Sequence, residues 1–245
     1  MKTLIVLPSY NEKQNISNLI DKILLQSLDN NIVVIDDNSP DNTIKTINKF
    51  IEKKHYKNRV HLIKRKKKLG RGSAVLDGLK WGYNNLNDLD LFIEMDCDFS
   101  HSPDEIIKGK ELIKSFDFVI GSRYPNGKII NWPIRRRIFS YFANQLIRFL
   151  IDRKISDYTN GFRFYSKKTI NYLLKYNIKS SGHICLSEIA AILLKANFLT
   201  TSFPIVFNNR VRGKSSVNFK EISKSLLSII RISWQYRFGK FNSLK

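Results

Sequence analysis

Five short runs rich in aliphatic residues, at positions 4–7, 32–35, 60–63, 91–95 and 118–120, alternate with stretches of helical periodicity. No other feature of the chain constrains its fold as strongly. Ile16, Leu19, Ile20, Ile23 and Leu24 recur at spacings of three and four, as do Ile44, Ile47, Phe50 and Ile51, so each set forms one apolar stripe on a helix. Further helices are expected over residues 72–83 and after Pro103, whose fixed φ suits a first helical turn. Ser39 or Asp41 is expected to cap the second helix, and Pro8 to stop the first strand. Apolar strands alternating with amphipathic helices predict an α/β fold, a mostly parallel sheet with helices on both faces. Ligands bind such sheets beyond the carboxyl ends of the strands. The polar residues at 9–12, 36–41 and 96–100, and Ser122-Arg123, are therefore the ones to read for chemistry.

Charge divides the chain. Residues 1–120 hold 19 Lys and Arg against 17 Asp and Glu, whereas residues 121–245 hold 23 against Asp152, Asp157, Glu188 and Glu221 alone. A near-neutral first half joined to a basic second half predicts an anionic partner for the latter: nucleic acid, a lipid surface or a phosphorylated substrate. The two cysteines, Cys97 and Cys185, exclude a disulfide scaffold. The opening apolar stretch is too short for a secretory signal. The apolar segments at 138–151 and 226–234 fall short of the ~20 residues of a spanning helix. A cytoplasmic chain, peripheral to a membrane and not integral, is expected.

Asp96-Cys97-Asp98 places two carboxylates just past an apolar strand, where both can reach one hard cation such as Mg²⁺ or Mn²⁺, unless Asp98 simply caps a turn. At the end of the second strand, Asp36-Asp37 should accept hydrogen bonds from a ligand or from backbone, Pro40 and Asp41 serving the turn. Leu69-Gly70-Arg71-Gly72-Ser73-Ala74 is neither a dinucleotide fingerprint nor a nucleotide P-loop; its glycines should allow a tight turn into the next helix. His55, His61, His101 and His183 fit no metal pattern, no serine lies in a nucleophile elbow, and Cys97 follows an acid, the wrong neighbour for an activated thiol.

The opening Leu7-Pro8-Ser9-Tyr10-Asn11-Glu12 and the segment from Val34 through Asp36-Asp37-Asn38-Ser39 to Thr43 resemble the family 2 glycosyltransferases, which have the Rossmann-like GT-A fold. More narrowly, Met95-Asp96-Cys97-Asp98-Phe99-Ser100-His101-Ser102-Pro103, Gly121-Ser122-Arg123-Tyr124, the run from Ser156 to Arg163 and that from Asn209 to Ser215 are similar to dolichol-phosphate mannose synthases and their polyprenol-phosphate relatives. The resemblance spans roughly residues 4 to 220, and implies a transferase domain over 1–220 with an amphipathic helical tail over 221–245.

The resemblance implies that Pro8, Tyr10, Glu12 and Asp37 hold the nucleotide, with Lys214 beside them. Asp96 and Asp98 would hold the metal and diphosphate, with Ser100 where some relatives place a Gln ligand. Arg123 and Arg210 would contact phosphates, Arg210 and Lys214 on a loop that closes over the site. The acceptor phosphate is expected at Arg123, Arg137 and Ser140. Asp98, Arg123, Asp157 and Arg210 are the catalytic candidates. Asp157 is expected on a helix, where it could instead serve as a cap or pair with Arg163. Here Gly213-Lys214-Ser215-Ser216 departs from the G-x-S-K common in the family.

The reaction implied is inverting transfer of a sugar, mannose from GDP-mannose first among the candidates, to a polyprenyl or dolichyl phosphate at the cytoplasmic membrane face. Arg135, Arg136 and Arg137 precede Ile138, Phe139, Phe142, Leu146, Ile147, Phe149 and Leu150 on one amphipathic helix, and Leu226, Leu227, Ile229, Ile230, Ile232 and Trp234 form another; both are candidates to dock on an anionic membrane surface or, instead, to pack on the core. Relatives often carry C-terminal spanning helices; none is read here, which leaves room for a small membrane subunit as partner. A UDP-sugar donor with a saccharide acceptor is the alternative within the family. A basic nucleic-acid-binding module is the alternative outside it, which explains the charge but not Asp96 and Asp98; nucleic acid is not expected as a partner.

Overall fold

The computed structural model describes residues 1–52, 56, 58–180, 182–209 and 219–243. The first half follows the alternation: β1 (Thr3–Ser9), α1 (Ile16–Leu25), β2 (Asn30–Asp36), α2 (Thr43–Ile51), β3 (Val60–Lys64), α3 (Arg71–Asn85), β4 (Leu91–Glu94), α4 (Ile106–Leu112) and β5 (Phe118–Ser122). The second half adds β6 (Lys128–Ile130), α5 (Ile134–Leu150), β7 (Arg163–Ser166), α6 (Lys167–Leu173), α7 (Ile184–Lys195), β8 (Thr200–Pro204), β9 (Val206–Asn208) and α8 (Phe219–Arg237). Seven strands form one sheet in the order β3-β2-β1-β4-β7-β5-β8, all parallel except β7, which pairs antiparallel with both neighbours. A parallel ribbon of β6 and β9 stands beside it.

The core lies on both faces of the sheet. One cluster packs Leu4, Val6, Val33, Ile35 and Phe92 against α3, α6 and α7; the other packs Ile5, Leu7, Ile32, Val34 and Ile93 against α1, α2 and α4. Successive residues of β1 and β2 thus feed opposite cores, which is why these strands read as unbroken apolar runs.

Two local expectations are corrected. Pro8 lies within β1, paired in register with Ile35. Its missing N–H faces β4, which pairs with β1 only as far as Val6, so no ladder bond is lost there. Neither Ser39 nor Asp41 is the N-cap of α2. That place belongs to Asn42, at φ 67°. Asp41 instead accepts from the Thr43 amide at 3.0 Å, while Ser39 Oγ donates to Asp36 at 2.7 Å. Pro103 does begin a helical turn, with Ser102 as its N-cap, leading into α4.

The alternation of β7 decides what reaches the ligand edge. The carboxyl ends of β1, β2, β4 and β5 share one edge, and because β7 runs the other way, its first residue, Arg163, lies on that edge opposite Glu94 and Ile120. The segment before β7 therefore enters the site from the same side. Arg163 is fully buried, its guanidinium donating to the carbonyls of Asn160, Leu186 and Tyr158 at 2.9, 2.6 and 2.8 Å.

Candidate active site

The turn after β4 carries Asp96, Asp98, Ser100 and His101. The Asp96 amide donates to His101 Nδ1 at 3.3 Å, which leaves Nε2 as the protonated nitrogen, donating to Asn160 Oδ1 at 2.8 Å. Asn160 in turn donates to the Gly121 carbonyl. The buried His101 ring stacks on Phe162 and meets the edge of Phe207, and burial lowers its pKa despite the nearby Asp96 and Asp98. This neutral ring joins the β4 turn, the end of β5 and the segment before β7. Sequence spacing gave no sign of that role.

Asp98 is buried and accepts from the Ser100 amide at 3.1 Å. Ser100 Oγ is buried and has no hydrogen-bond partner among the described residues. Two carboxylates and an unpartnered buried hydroxyl form an all-oxygen set that fits Mg²⁺ or Mn²⁺. Among the described residues no three His, Cys, Asp or Glu side chains form a metal cage, so further ligands would be substrate and water oxygens. Cys97 points away, donating to the Pro8 carbonyl at 3.2 Å. Burial and then the carboxylates of Glu12, Asp96 and Asp98 push its thiol pKa well up, so it packs and does not react.

Asp96 is not alone on its edge. Arg71 Nε donates to Asp96 Oδ1 at 2.7 Å, Nη1 to the fully buried Glu94, and Nη2 to the Gly161 carbonyl at 3.2 Å. Burial by itself would raise the Asp96 carboxyl, but Arg71, with His101 and His183 nearby, holds it below the usual range. Arg71 is the first residue of α3, between the two glycines read as a turn; Gly70 does adopt φ 93° there as the N-cap. The cation between those glycines, like His101, is a residue of the site that the sequence did not reveal.

The nucleotide candidates cluster around β1 and β2. Tyr10 is partly exposed, with Lys68 Nζ 3.8 Å above its ring. Glu12 accepts from Asn15 at 2.8 Å, and its amide donates to Thr43 at 3.0 Å. Asp37 is buried and occupied: Oδ1 accepts from Arg65 at 2.8 Å, Oδ2 from the amides of Leu69 and Gly70 at 3.2 and 2.7 Å. In this arrangement Asp37 shapes the loop before α3.

Past β5, Arg123 is buried against the rings of Tyr124, Trp132 and Phe207. Its Nε and Nη2 donate to the two oxygens of Asp157 at 2.7 and 2.9 Å, and Nη2 also to Thr159 Oγ1 at 2.7 Å. Asp157 is fully buried and accepts as well from the Arg123 amide and from the amide and hydroxyl of Thr159. Residues 152–162 form no helix, so Asp157 caps none, and its ion-pair partner is Arg123, not Arg163. Asn144 of α5 reaches Thr159 Oγ1 at 3.1 Å. Ser140, half-buried, lies one turn earlier on α5, and Arg137 is exposed. Arg136 turns inward, 3.8 Å over Trp132. Arg210 and Lys214 lie outside the described residues.

A mostly parallel sheet with paired carboxylates just past a central strand, and the buried Arg123 on the same edge, matches the GT-A class of fold. The chain belongs to glycosyl transferase family 2, whose sequence pattern matches residues 4–174. It is 30% identical to a polyprenol monophosphomannose synthase of Mycolicibacterium smegmatis, over 93% of this chain and 85% of that one. It is 34% identical to a dolichol-phosphate mannosyltransferase of Pyrococcus furiosus, covering 96% of this chain and 65% of that one. Among solved structures it is similar to glucosyl-3-phosphoglycerate synthase of Mycobacterium tuberculosis, crystallised with Mn²⁺, UDP and glucosyl-3-phosphoglycerate, with a TM-score of 0.66 at 15% identity over 96% of this chain and 79% of that one.

Proposed function

We propose that this enzyme transfers mannose from GDP-mannose to a polyprenyl phosphate, with inversion, in a reaction that needs Mg²⁺ or Mn²⁺. The names of the relatives support the mannosyl group and the lipid phosphate. The observation that carries the chemistry is the placing of Asp96 and Asp98 on one side of the site and Arg123 on the other, joined through His101 and Asn160. Asp96, Asp98 and Ser100 would hold the cation, which offsets charge on the departing diphosphate. Arg123, with Arg210 and Lys214, receives phosphate oxygens. An ionised acceptor oxygen attacks the anomeric carbon, a new carbon–oxygen bond forms on the far face, and the nucleoside diphosphate leaves with the electrons of the bond that breaks. The acceptor carries no proton at the attacking oxygen, so no general base is required. Asp157 then serves to position Arg123.

Membrane docking belongs to the same reading. Among the described residues no helix is long and apolar enough to cross a bilayer. Phe139, Phe142, Leu146 and Phe149 of α5 and Leu227, Ile230 and Trp234 of α8 are nonetheless exposed. The two helices meet where Ser233 and Arg237 donate to carbonyls at the end of α5. Aromatic faces open to solvent beside the exposed Arg135 and Arg137 suit an anionic lipid surface. A small membrane subunit would have its place at the same surface.

The test is a panel of GDP-mannose, UDP-glucose and UDP-N-acetylglucosamine, each offered with a polyprenyl phosphate in detergent and read by mass. A lipid heavier by one hexose with GDP-mannose supports the reading. Transfer from UDP-sugars alone replaces the donor, and failure to modify the lipid with any donor refutes the acceptor.

A further inference from the structure

Arg71 stands at the first turn of α3 with each arm of its guanidinium taken. Nε is committed to Asp96 Oδ1, Nη1 to Glu94 and Nη2 to the Gly161 carbonyl. Glu94 is itself held, its second oxygen accepting from the Tyr165 hydroxyl at 2.9 Å. The path is cut to fit: a Cβ on Gly161 would lie 2.0 Å from Arg71 Nη2. Carboxylates on β4 and in the turn after it, with a backbone carbonyl before β7, thus fix the Arg71 cation beside one carboxylate of the expected metal pair.

We propose that Arg71 is a positioning residue that holds Asp96 by Oδ1, so that Asp98 and Ser100 are the leading protein ligands of the divalent cation, and that its charge makes tight metal binding wait for the donor diphosphate. The proposal rests on the metal-dependent reading above. A fixed positive charge beside a divalent site opposes the bare cation. The negative oxygens of a nucleoside diphosphate offset that opposition, so metal and nucleotide load together. One unit charge a few ångströms away in a partly buried site changes such an affinity by about tenfold or more. Arg71 also keeps Asp96 from closing on the cation with both oxygens, which leaves one for the donor side of the site.

The experiment titrates Mn²⁺ into the purified chain and reads free Mn²⁺ by electron paramagnetic resonance, without nucleotide, with GDP and with UDP. The wild-type chain should bind bare Mn²⁺ weakly and at least tenfold more tightly with one of the nucleotides. Arg71→Met should bind bare Mn²⁺ about tenfold more tightly than wild type and gain less from nucleotide. Because that variant strands the Glu94 charge in the core, Glu94→Gln/Arg71→Met is the companion; it removes both charges, of which Glu94 sits on the strand behind the metal turn, and should show a smaller gain of the same sign. Arg71→Lys, which keeps the charge, should stay close to wild type in bare Mn²⁺ affinity. The proposal is overturned if the double variant binds bare Mn²⁺ no more tightly than wild type, or if Arg71→Lys behaves like Arg71→Met. Mn²⁺ binding to none of the chains, with or without nucleotide, would bring down the metal-dependent reading itself, and this proposal with it.

Discussion

Replacing Asp157 with Asn should cost about 3–5 kcal/mol of folding stability, the range for breaking a buried ion pair from one side. The side chain of Asp157 is 0% exposed and that of Arg123 5%. Asp157 Oδ2 accepts from both the Arg123 amide and Nε. An amide group there would set donor against donor on one oxygen position or the other, while the guanidinium kept its buried charge. In a chain of this size such a loss lowers the melting temperature by roughly 10 °C. The pH dependence has a definite sign. Burial would raise the Asp157 carboxyl, but Arg123 more than offsets this and the pKa is lowered. The pair's contribution is then fully present above the ordinary carboxylate value of about 4 and fades as pH falls below it. Urea unfolding at pH 7.5, 5 and 3.5 should show a constant gap between wild type and Asp157→Asn at the first two and a narrower one at the third. Arg123→Met/Asp157→Leu, which removes both charges, should be less destabilised than the single variant. A loss below about 1 kcal/mol at pH 7.5, smaller than a broken buried pair allows, would refute this reasoning. Were Asp157 a proton acceptor in the reaction, the variant would keep its stability and lose only turnover.

Chelation with EDTA, or Asp98→Ala, should lower sugar transfer a hundredfold or more, about the scale of one electrostatic stabiliser of a leaving group; full turnover in EDTA would remove the metal from the mechanism. Sedimentation with anionic vesicles should carry the chain down at low salt and release it as salt rises. Arg135→Ser/Arg137→Ser should weaken that binding by about 2 kcal/mol, at about 1 kcal/mol per charge, and a wild-type chain that stays in the supernatant would require recruitment by a partner. Gly161→Ala should displace Arg71 and cost about 1–3 kcal/mol, measured by thermal melting, whereas an unchanged melting point would show that the loop yields. Arg210→Ala should lower turnover more than it weakens donor binding, as expected of a residue that engages after the nucleotide is seated; equal losses would make it a plain binding residue.

What could be read from the chain and what could not follows from the range of the interactions. β1, β2 and β4 announce themselves because each strand is covered on both faces, so the residues at 4–7, 32–35 and 91–93 form unbroken aliphatic or aromatic runs. β7 does not. It is four residues long and begins with Arg163, a residue that looks like surface and is buried only because Tyr158, Asn160 and Leu186 offer their carbonyls. Asp96 and Asp98 were legible as a pair at a strand end. The partners of Asp96 and Asp157 were not: Arg71 precedes Asp96 by a whole helix and strand, and Arg123 and Asp157 lie on either side of α5. Helical faces were only half legible. Periodicity marks Ile229 and Ile230 alike as apolar, but the fold buries the first and exposes the second.

The position of β7 imposes an order on assembly. β4 and β5 are successive strands in the chain, yet they never touch; each is completed by β7, which is synthesised only after all of α5. Until it arrives the nascent sheet is β3-β2-β1-β4 with β5 standing alone, since β8 also follows β7, and each piece presents an open edge of the kind that pairs with strangers. The turn bearing Asp96 and Asp98 rides on one piece and Arg123 on the other. A chain cut between α5 and Arg163 is therefore not a smaller transferase but an unfinished four-stranded sheet and an unpaired β5, with the site divided between them. Exchanging the segment after α5 between relatives would change an interior strand of the sheet along with the exposed apolar face of α8, so that face cannot be moved about as a separate cassette.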